Sequence, residues 1–234
     1  EMYKNLVLEH ITDIPEANII IEPAAKNTAP CIGLAAVHIA KKDINSKMII
    51  LPSDHLIKFN EIFIDTLKTA LDVVEKDDNL ATIGITPNYP ETGYGYINFK
   101  RGDSLQKNVY EVLKFEEKPD IEKAKEYLAS GQYLWNSGMF VWKTEFILSE
   151  IKKHMETHKV ILENIEKMLE NVDLDQVFGE KLSNFVKDEF EKFEKISIDF
   201  GVMEHTKSVS VIPVDIDWND VGNFKSLEDI FPRD

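Results

Sequence analysis

Polar residues with chemical potential follow several segments that the sequence predicts to be β-strands. Asp54 follows a strand over 47–51, Glu117 and Lys118 end a strand over 109–118, and Asp220 stands in a Trp-Asn-Asp-Val-Gly turn. In open α/β sheets, ligands bind beyond the carboxyl ends of the strands. Each cluster alone also has a structural interpretation. A helix cap, a solvated strand end and a turn would explain them without a ligand.

Alternating strand and helix patterns would position these residues. Apolar runs predict strands over 18–22, 47–51, 80–86, 109–118, 133–143 and 208–214. Helical spacing of apolar residues predicts helices over 29–42, 62–74, 121–128 and 198–204, and an acidic helical region over 145–195. The strands over 18–22 and 47–51 flank a helix, which predicts a βαβ unit with parallel strands. No linker or repeat interrupts the pattern, so we predict one α/β domain over 1–234.

Composition narrows the classes of function. With 27 basic and 42 acidic residues, the net charge is −15, which argues against nucleic-acid binding. The apolar runs are strand-sized, well short of the roughly 20 residues of a membrane span. A single cysteine, Cys31, excludes an internal disulfide. Without a recognisable secretory signal, we expect a cytoplasmic protein.

Seven motifs, in order along nearly the whole chain, carry a resemblance to a known family. They are Glu22-Pro-Ala-Ala-Lys-Asn-Thr-Ala-Pro30, Leu51-Pro-Ser-Asp-His55, Pro90-Glu-Thr-Gly-Tyr-Gly-Tyr96, Phe115-Glu-Glu-Lys-Pro119, Trp135-Asn-Ser-Gly-Met-Phe140, Ser197-Ile-Asp-Phe-Gly-Val-Met-Glu204 and Asp217-Trp-Asn-Asp-Val-Gly-Asn223. Together they resemble the mannose-1-phosphate guanylyltransferases, which are sugar-nucleotide pyrophosphorylases. Seven ordered matches make coincidence implausible.

The resemblance implies a fold and a reaction. The fold is the Rossmann-like nucleotide-diphospho-sugar transferase fold, with a mixed, mostly parallel sheet and helices on both faces. The reaction joins GTP and mannose 1-phosphate to give GDP-mannose and pyrophosphate, with Mg²⁺ or another divalent cation. By similarity, Asp54 and Asp220 are catalytic carboxylates that hold the cation. Lys118 matches the catalytic lysine that contacts the sugar phosphate.

The same resemblance implies substrate contacts. Glu117, Asn136 and the backbone of Gly93 match sugar-binding positions, and a glycine lets a sugar ring approach the main chain closely. Glu22, Asn27 and Thr28 fall in the base-recognition segment. A carboxylate there would suit the adjacent N–H donors of guanine. An acid before a helix N-terminus also has a purely electrostatic interpretation for Glu22.

Two departures from the family pattern lead to further expectations. Lys26 replaces the arginine that the family commonly has, and lysine cannot form a bidentate fork. The sequence contains no Gly-Gly-x-Gly-x-Arg loop of the kind that cradles the triphosphate. We therefore expect the first βα unit to be missing and residues 1–234 to be inactive alone.

Three possibilities stay open beside this interpretation. One is a related sugar-1-phosphate nucleotidyltransferase that uses another base or sugar. Another is a non-catalytic fragment that binds a sugar nucleotide. Exposure of apolar surface at an unpaired strand would also allow a homodimer.

Overall fold

A computed structural model describes residues 3–106, 108–174 and 180–222. Contacts divide the chain into two compact units. The helical unit comprises Glu1–Ser46 and Thr144–Thr206, and the sheet unit comprises Lys47–Lys143 and Lys207–Asp234. The prediction of one domain over 1–234 stays a prediction. In the described ranges, no helix combines the length and apolarity needed to cross a bilayer.

Where the structure describes it, the helical unit contains the first two α-helices and the three that follow the last-but-one strand. Its α-helices are α1 (Lys4–His10), α2 (Thr28–Lys42), α5 (Thr144–His154), α6 (Glu156–Leu169) and α7 (Glu180–Phe190). A 3₁₀ turn spans Glu16–Asn18 and a π-helical turn spans Asp199–Met203. Helix α2 packs against α5 and α6, which bury their apolar faces in the unit's core. The predicted helices over 29–42 and 145–195 are confirmed in outline, the latter as separate helices.

Among its described residues, the sheet unit contains six strands and two helices. Its strands are β1 (Lys47–Ile50), β2 (Leu80–Ile85), β3 (Tyr96–Gln106), β4 (Val109–Glu116), β5 (Tyr133–Lys143) and β6 (Val209–Val214). Its helices are α3 (Asn60–Lys76) and α4 (Ile121–Ser130). The strand order is β1-β5-β2-β6-β4-β3, and β3 also pairs with β5. Helix α3 packs on β2, β5 and β6, where Ala70, Val74 and Ile83 are fully buried.

Strand direction differs from the sequence prediction. Only β2 and β6 pair in parallel among the described strands, whereas β1–β5, β2–β5, β3–β4, β3–β5 and β4–β6 are antiparallel. The expectation of a mostly parallel sheet is therefore wrong, although the sheet is mixed as predicted. A run of apolar residues indicates that both faces of a strand are covered, but it does not indicate whether the strand lies parallel or antiparallel to its neighbours.

The predicted strand over 18–22 is also wrong. Residues 16–18 form the 3₁₀ turn, and the chain from 19 to 27 has no strand pairing in the part of the chain that the structure describes. Ile19 is extended, with φ −91° and ψ 93°, but an extended backbone becomes a strand only beside a partner. The predicted βαβ unit fails with it, since β1 pairs antiparallel with β5.

Gly84 supplies a stability prediction for the sheet unit. A Cβ at this position would lie 2.6 Å from Leu134 Cδ1 and 2.8 Å from Val211 Cγ2, inside the close contact of β2, β5 and β6. Gly84→Ala should therefore overpack the core and destabilise the fold by about 1–3 kcal/mol. Urea unfolding of the purified variant measures this loss.

Gly33 provides the matched control. The three atoms nearest to a Cβ there all belong to the Leu162 side chain, the closest at 3.2 Å, so this side chain would have to give by only a few tenths of an ångström. Alanine also has a helix propensity about 1 kcal/mol better than glycine. Gly33→Ala should leave the unfolding free energy unchanged or raise it. Equal losses of unfolding free energy in Gly84→Ala and Gly33→Ala would contradict the tight packing described around Gly84.

Candidate active site

Asp54 and Asp220 lie on two short segments that pair with each other in the sheet unit. Leu56 N–H donates to the Asn219 carbonyl at 2.8 Å, and Asn219 N–H donates to the Leu56 carbonyl at 3.0 Å. This antiparallel bridge brings together residues that stand more than 160 positions apart in the chain. Asp54 is exposed and Asp220 is half-buried, so both carboxylates are accessible to a ligand.

His55 lies within electrostatic range of the carboxylates of Asp54 and Asp220. Burial lowers its pKa, while the negative charges of Asp54 and Asp220 act in the opposite direction. Trp218 Nε1 donates to His55 Nδ1 at 3.0 Å, and an indole N–H can only donate. Nδ1 is therefore the acceptor, and the neutral imidazole carries its proton on Nε2. The charges of both aspartates therefore act on this one ring.

Tyr94 is a member of this site that the sequence analysis missed. Its hydroxyl donates to Asp220 Oδ1 at 2.9 Å. Burial, followed by the hydrogen bond to Asp220, raises the pKa of the phenol, so it stays protonated as a donor. Its ring packs edge-on against Trp135 and Trp218, with centroids 5.4 and 5.3 Å away. Aromatic spacing in the Tyr94-Gly-Tyr96 segment was the available signal.

The loop that carries Asp220 has an unusual backbone. Asp217 has φ 49° and Val221 has φ 50°, in the left-handed region that side chains, and β-branched ones above all, rarely adopt. Val221 N–H donates to Asn219 Oδ1 at 2.7 Å, and Lys58 pairs with Asp217 at 2.8 Å. Such conformations cost of order 1–3 kcal/mol each and cluster at binding sites.

Glu117 and Asn136 approach each other across Gly95. An added Cβ on Gly95 would lie 3.2 Å from Glu117 Oε2 and 3.5 Å from Asn136 Cβ, so both side chains lie directly beside this glycine. Asn136 N–H also donates to the Gly95 carbonyl at 2.8 Å. Gly95 therefore brings two predicted sugar contacts together, a role that the sequence analysis did not assign to it.

A β-bulge in β5 directs Asn136. Gly84 pairs with Asn136 and Thr82 pairs with Phe140, which leaves 137–139 opposite a single residue of β2. Gly138 has φ 69°, and its N–H donates to Asn136 Oδ1 at 3.1 Å. Bulges recur beside active sites because they re-aim a side chain. The bulge and the binding interpretations of this segment are thus compatible.

Lys118 and Gly93 lie in exposed loops of the same unit. The Lys118 side chain is 62% exposed, stands 3.6 Å from Glu117 Oε1 and follows β4 with φ 35°. Gly93 N–H donates to Glu91 Oε1 at 2.7 Å, and Thr92 N–H donates to the same oxygen at 2.8 Å. The Glu91 side chain therefore helps to fix the loop. The backbone N–H of Gly93 is already used in this hydrogen bond. The predicted sugar contact through the Gly93 backbone stays a prediction.

Asn27 and Thr28 are the N-cap and the first residue of α2 in the helical unit, and Glu22 precedes that helix by six residues. Glu22 Oε1 accepts from Lys26 N–H at 3.1 Å, and Asn27 Oδ1 accepts from Thr28 N–H at 2.8 Å. Thr28 Oγ1 accepts from Ile198 N–H at 2.9 Å. All three therefore have a structural role there, and their predicted contacts with a base stay predictions.

Asp54 and Asp220 offer carboxylate oxygens, the type of ligand that a hard divalent cation prefers. Over the ranges that the structure describes, no three His, Cys, Asp or Glu side chains are grouped closely enough to hold a metal. A cation bound by Asp54 and Asp220 would complete its coordination with water or with oxygens of the substrates. Mg²⁺ is commonly held in this way, by one or two carboxylates and substrate phosphates.

Comparison with known proteins identifies the family. The model of the family described as nucleotidyl transferase matches residues 1–234. The chain belongs to the nucleotidyl transferase family. The mannose-1-phosphate guanylyltransferase of Klebsiella pneumoniae is 38% identical, and that of Escherichia coli is 37% identical, each over 100% of this chain. The predicted resemblance is thereby confirmed. This nucleotidyl transferase chain spans about half the length of those relatives, 49% in each case.

Solved structures support the fold assignment. A Thermus thermophilus protein named mannose-1-phosphate geranyltransferase has a TM-score of 0.81 at 29% identity, covering 98% of this chain and 62% of its own. A Helicobacter pylori protein named mannose-6-phosphate isomerase has a TM-score of 0.72 at 30% identity, covering 93% and 80%. The predicted nucleotidyltransferase-type α/β fold is confirmed.

Proposed function

We propose that the complete protein is a mannose-1-phosphate guanylyltransferase, which transfers GMP from GTP to mannose 1-phosphate. The observation that carries this proposal is the pairing of the two segments that hold Asp54 and Asp220, whose charges both act on His55. Identity of 37–38% to guanylyltransferases over the whole chain supports it. GTP and mannose 1-phosphate as substrates are inferred from the names of those relatives.

The reaction is an in-line displacement at phosphorus. A phosphate oxygen of mannose 1-phosphate attacks the α-phosphorus of GTP, and the bond from that phosphorus to the bridging oxygen breaks. Pyrophosphate leaves with the electron pair of that bond, so GDP-mannose and pyrophosphate are the products. Reactions of this kind depend on positioning and charge neutralisation more than on covalent groups from the protein.

Asp54 and Asp220 would hold the divalent cation in this protein. Their carboxylate oxygens fit the preference of Mg²⁺, and the space beside Asp220 is kept open by Gly222, where a Cβ would lie 2.8 Å from Oδ2. When bound, such a cation offsets negative charge on the phosphates. A local cation also explains how a chain of net charge −15 could accept two anionic substrates.

Lys118, Glu117 and Asn136 would bind the sugar phosphate. The exposed ammonium of Lys118 is a mobile point charge suited to a phosphate. Glu117 and Asn136 converge at Gly95, where a carboxylate and an amide can pair with sugar hydroxyls. Glu22, Asn27 and Thr28 remain proposed contacts of the guanine base. Gly93 remains a proposed sugar contact through its backbone.

A substrate panel tests the proposal. The complete protein is incubated with each of four nucleoside triphosphates and with mannose, glucose or N-acetylglucosamine 1-phosphate, and pyrophosphate release is measured with Mg²⁺ present. GTP with mannose 1-phosphate should give the highest kcat/KM. Preference for UTP or dTTP with glucose 1-phosphate would assign a sister activity instead. Isomerisation of mannose 6-phosphate, without pyrophosphate release from any pair, would contradict the proposal.

Residues 1–234 alone provide a second test. The absence of a Gly-rich phosphate loop from this sequence leads us to expect no appreciable turnover from it. Calorimetry with GDP-mannose then shows whether the sugar-nucleotide site survives in this part of the protein. Turnover comparable to that of the complete protein would contradict the expectation.

A further inference from the structure

The two carboxylate oxygens of Asp220 have different surroundings. Oδ1 accepts two hydrogen bonds, from the Tyr94 hydroxyl at 2.9 Å and from Gly222 N–H at 3.1 Å. Within residues 3–106, 108–174 and 180–222, no hydrogen bond reaches Oδ2. One oxygen is therefore fixed by protein donors, and the other is left for a ligand.

Gly222 leaves the space beside the second oxygen open. A Cβ at this position would lie 2.8 Å from Oδ2 and 3.2 Å from the carboxyl carbon of Asp220. Real Cβ atoms do not approach an oxygen so closely, so any other residue would force the carboxylate to move. Glycine therefore contributes in two ways, through its N–H donor and through its missing side chain.

Tyr94 is held in place independently of Asp220. Its ring lies edge-on to Trp135 and to Trp218, and Trp135 is only 4% exposed. Trp218 is in turn fixed by its hydrogen bond to His55. A hydroxyl on so constrained a ring can orient a carboxylate, because the donor does not have to be ordered first.

We propose that Tyr94 and Gly222 are positioning residues that hold Asp220 as a one-oxygen ligand, presenting Oδ2 to a divalent cation. This inference rests on the proposed role of Asp220 as a cation ligand. The hydrogen bonds to Oδ1 prevent the carboxylate from rotating to offer both oxygens. Partners of this kind orient ligands to metals in many proteins, and their loss commonly costs about 10–100-fold in metal affinity.

Titration with Mn²⁺ tests this inference without any requirement for turnover. Free Mn²⁺ is followed by electron paramagnetic resonance while the complete protein, Tyr94→Phe and Gly222→Ala are titrated in turn. Phenylalanine keeps the ring and its packing and removes the hydroxyl, which is the donor to Asp220. We expect the Kd for Mn²⁺ to rise about 10–100-fold in each variant. Excess Mg²⁺ should restore the turnover of Tyr94→Phe, which a purely structural defect would not allow.

Tyr110→Phe is the matched control. Tyr110 lies on β4 of the same unit, where its ring packs against Phe99 at a centroid distance of 5.3 Å. The Kd of Tyr110→Phe for Mn²⁺ should equal that of the unmodified protein. Thermal unfolding of Gly222→Ala shows whether this variant still folds. If it does not, the Kd of Tyr94→Phe for Mn²⁺ tests the inference alone.

The outcomes separate this inference from the proposed function. Weaker Mn²⁺ binding in Tyr94→Phe supports the inference even if the substrate panel identifies another nucleotide or sugar. Equal Kd values in Tyr94→Phe and the unmodified protein would overturn it, even if guanylyl transfer is intact. Absence of Mn²⁺ binding by the unmodified protein at millimolar concentration would overturn it as well.

Discussion

Asparagine in place of Asp220 should lower the kcat of the complete protein about 10³-fold, equivalent to about 4 kcal/mol of transition-state stabilisation. The substitution keeps the size of the side chain, and an amide oxygen can still accept from Tyr94 and Gly222. What it removes is one of the two negative charges proposed to hold the cation. Steady-state pyrophosphate release at saturating substrates measures the loss.

Asp215→Asn is the matched control for this prediction. Asp215 is an exposed carboxylate just after β6, in the same stretch of chain but outside the group around His55. Its removal also lowers the negative charge by one, and kcat should stay within about twofold, as is usual for surface substitutions of small energetic effect. A kcat for Asp220→Asn close to that of Asp215→Asn would reduce Asp220 to a turn residue.

Alanine in place of Lys118 should raise the KM for mannose 1-phosphate about 10–100-fold, the loss expected of a hydrogen bond between charged groups worth about 1.5–3 kcal/mol. The side chain is largely exposed and forms a loose ion pair with Glu117, at 3.6 Å. Folding should therefore be little affected. Substrate titrations at saturating nucleotide measure the change, and the KM for the nucleotide should stay constant.

Lys114→Ala separates the local role of Lys118 from the general effect of charge. Lys114 is also a well-exposed lysine of this region, and it pairs with Glu116 on β4. Exposed ion pairs contribute about 0–1 kcal/mol, so neither KM should change measurably. Lys118→Ala could instead raise the KM for the nucleotide and leave the KM for mannose 1-phosphate unchanged. That result would show that Lys118 binds the nucleotide and not the sugar phosphate.

Elements with strong periodicity could be predicted from the sequence. Strand β5 has the predicted bounds, 133–143, and α2 begins one residue before its predicted start. Both carry a clear apolar pattern, and α2 is capped by Asn27, whose side chain accepts from Thr28 N–H. Signals of this kind depend only on residues that are close together in the sequence, so they can be recognised from one sequence.

Strand pairing could not be predicted from the same signals. The segment over 18–22 has the composition of a strand, yet no strand pairing involves it in the described ranges. The antiparallel pairing of β1 with β5 joins segments about 90 residues apart, and apolar runs do not specify which neighbours they meet. Partners of distant segments are set by the packing of the whole sheet.

The candidate site was predictable in its members more than in its geometry. Asp54 and Asp220 were predicted from motifs, and in the folded chain the charges of both act on His55. The bridge between Leu56 and Asn219 that achieves this has no sequence signature. Tyr94 and Gly95 were missed because their roles depend on contacts with Asp220, Glu117 and Asn136, which only the folded chain creates.

A shared cation is the central claim, and Mn²⁺ titration of Asp54→Asn, Asp220→Asn and the double variant tests it most directly. If both carboxylates hold the same ion, the double variant should lose little more binding free energy than either single variant, because ligands of one ion are not additive. The unmodified protein should bind a single ion at this site. Single variants that each keep full Mn²⁺ affinity, or losses that add in the double variant, would show that the two aspartates act separately.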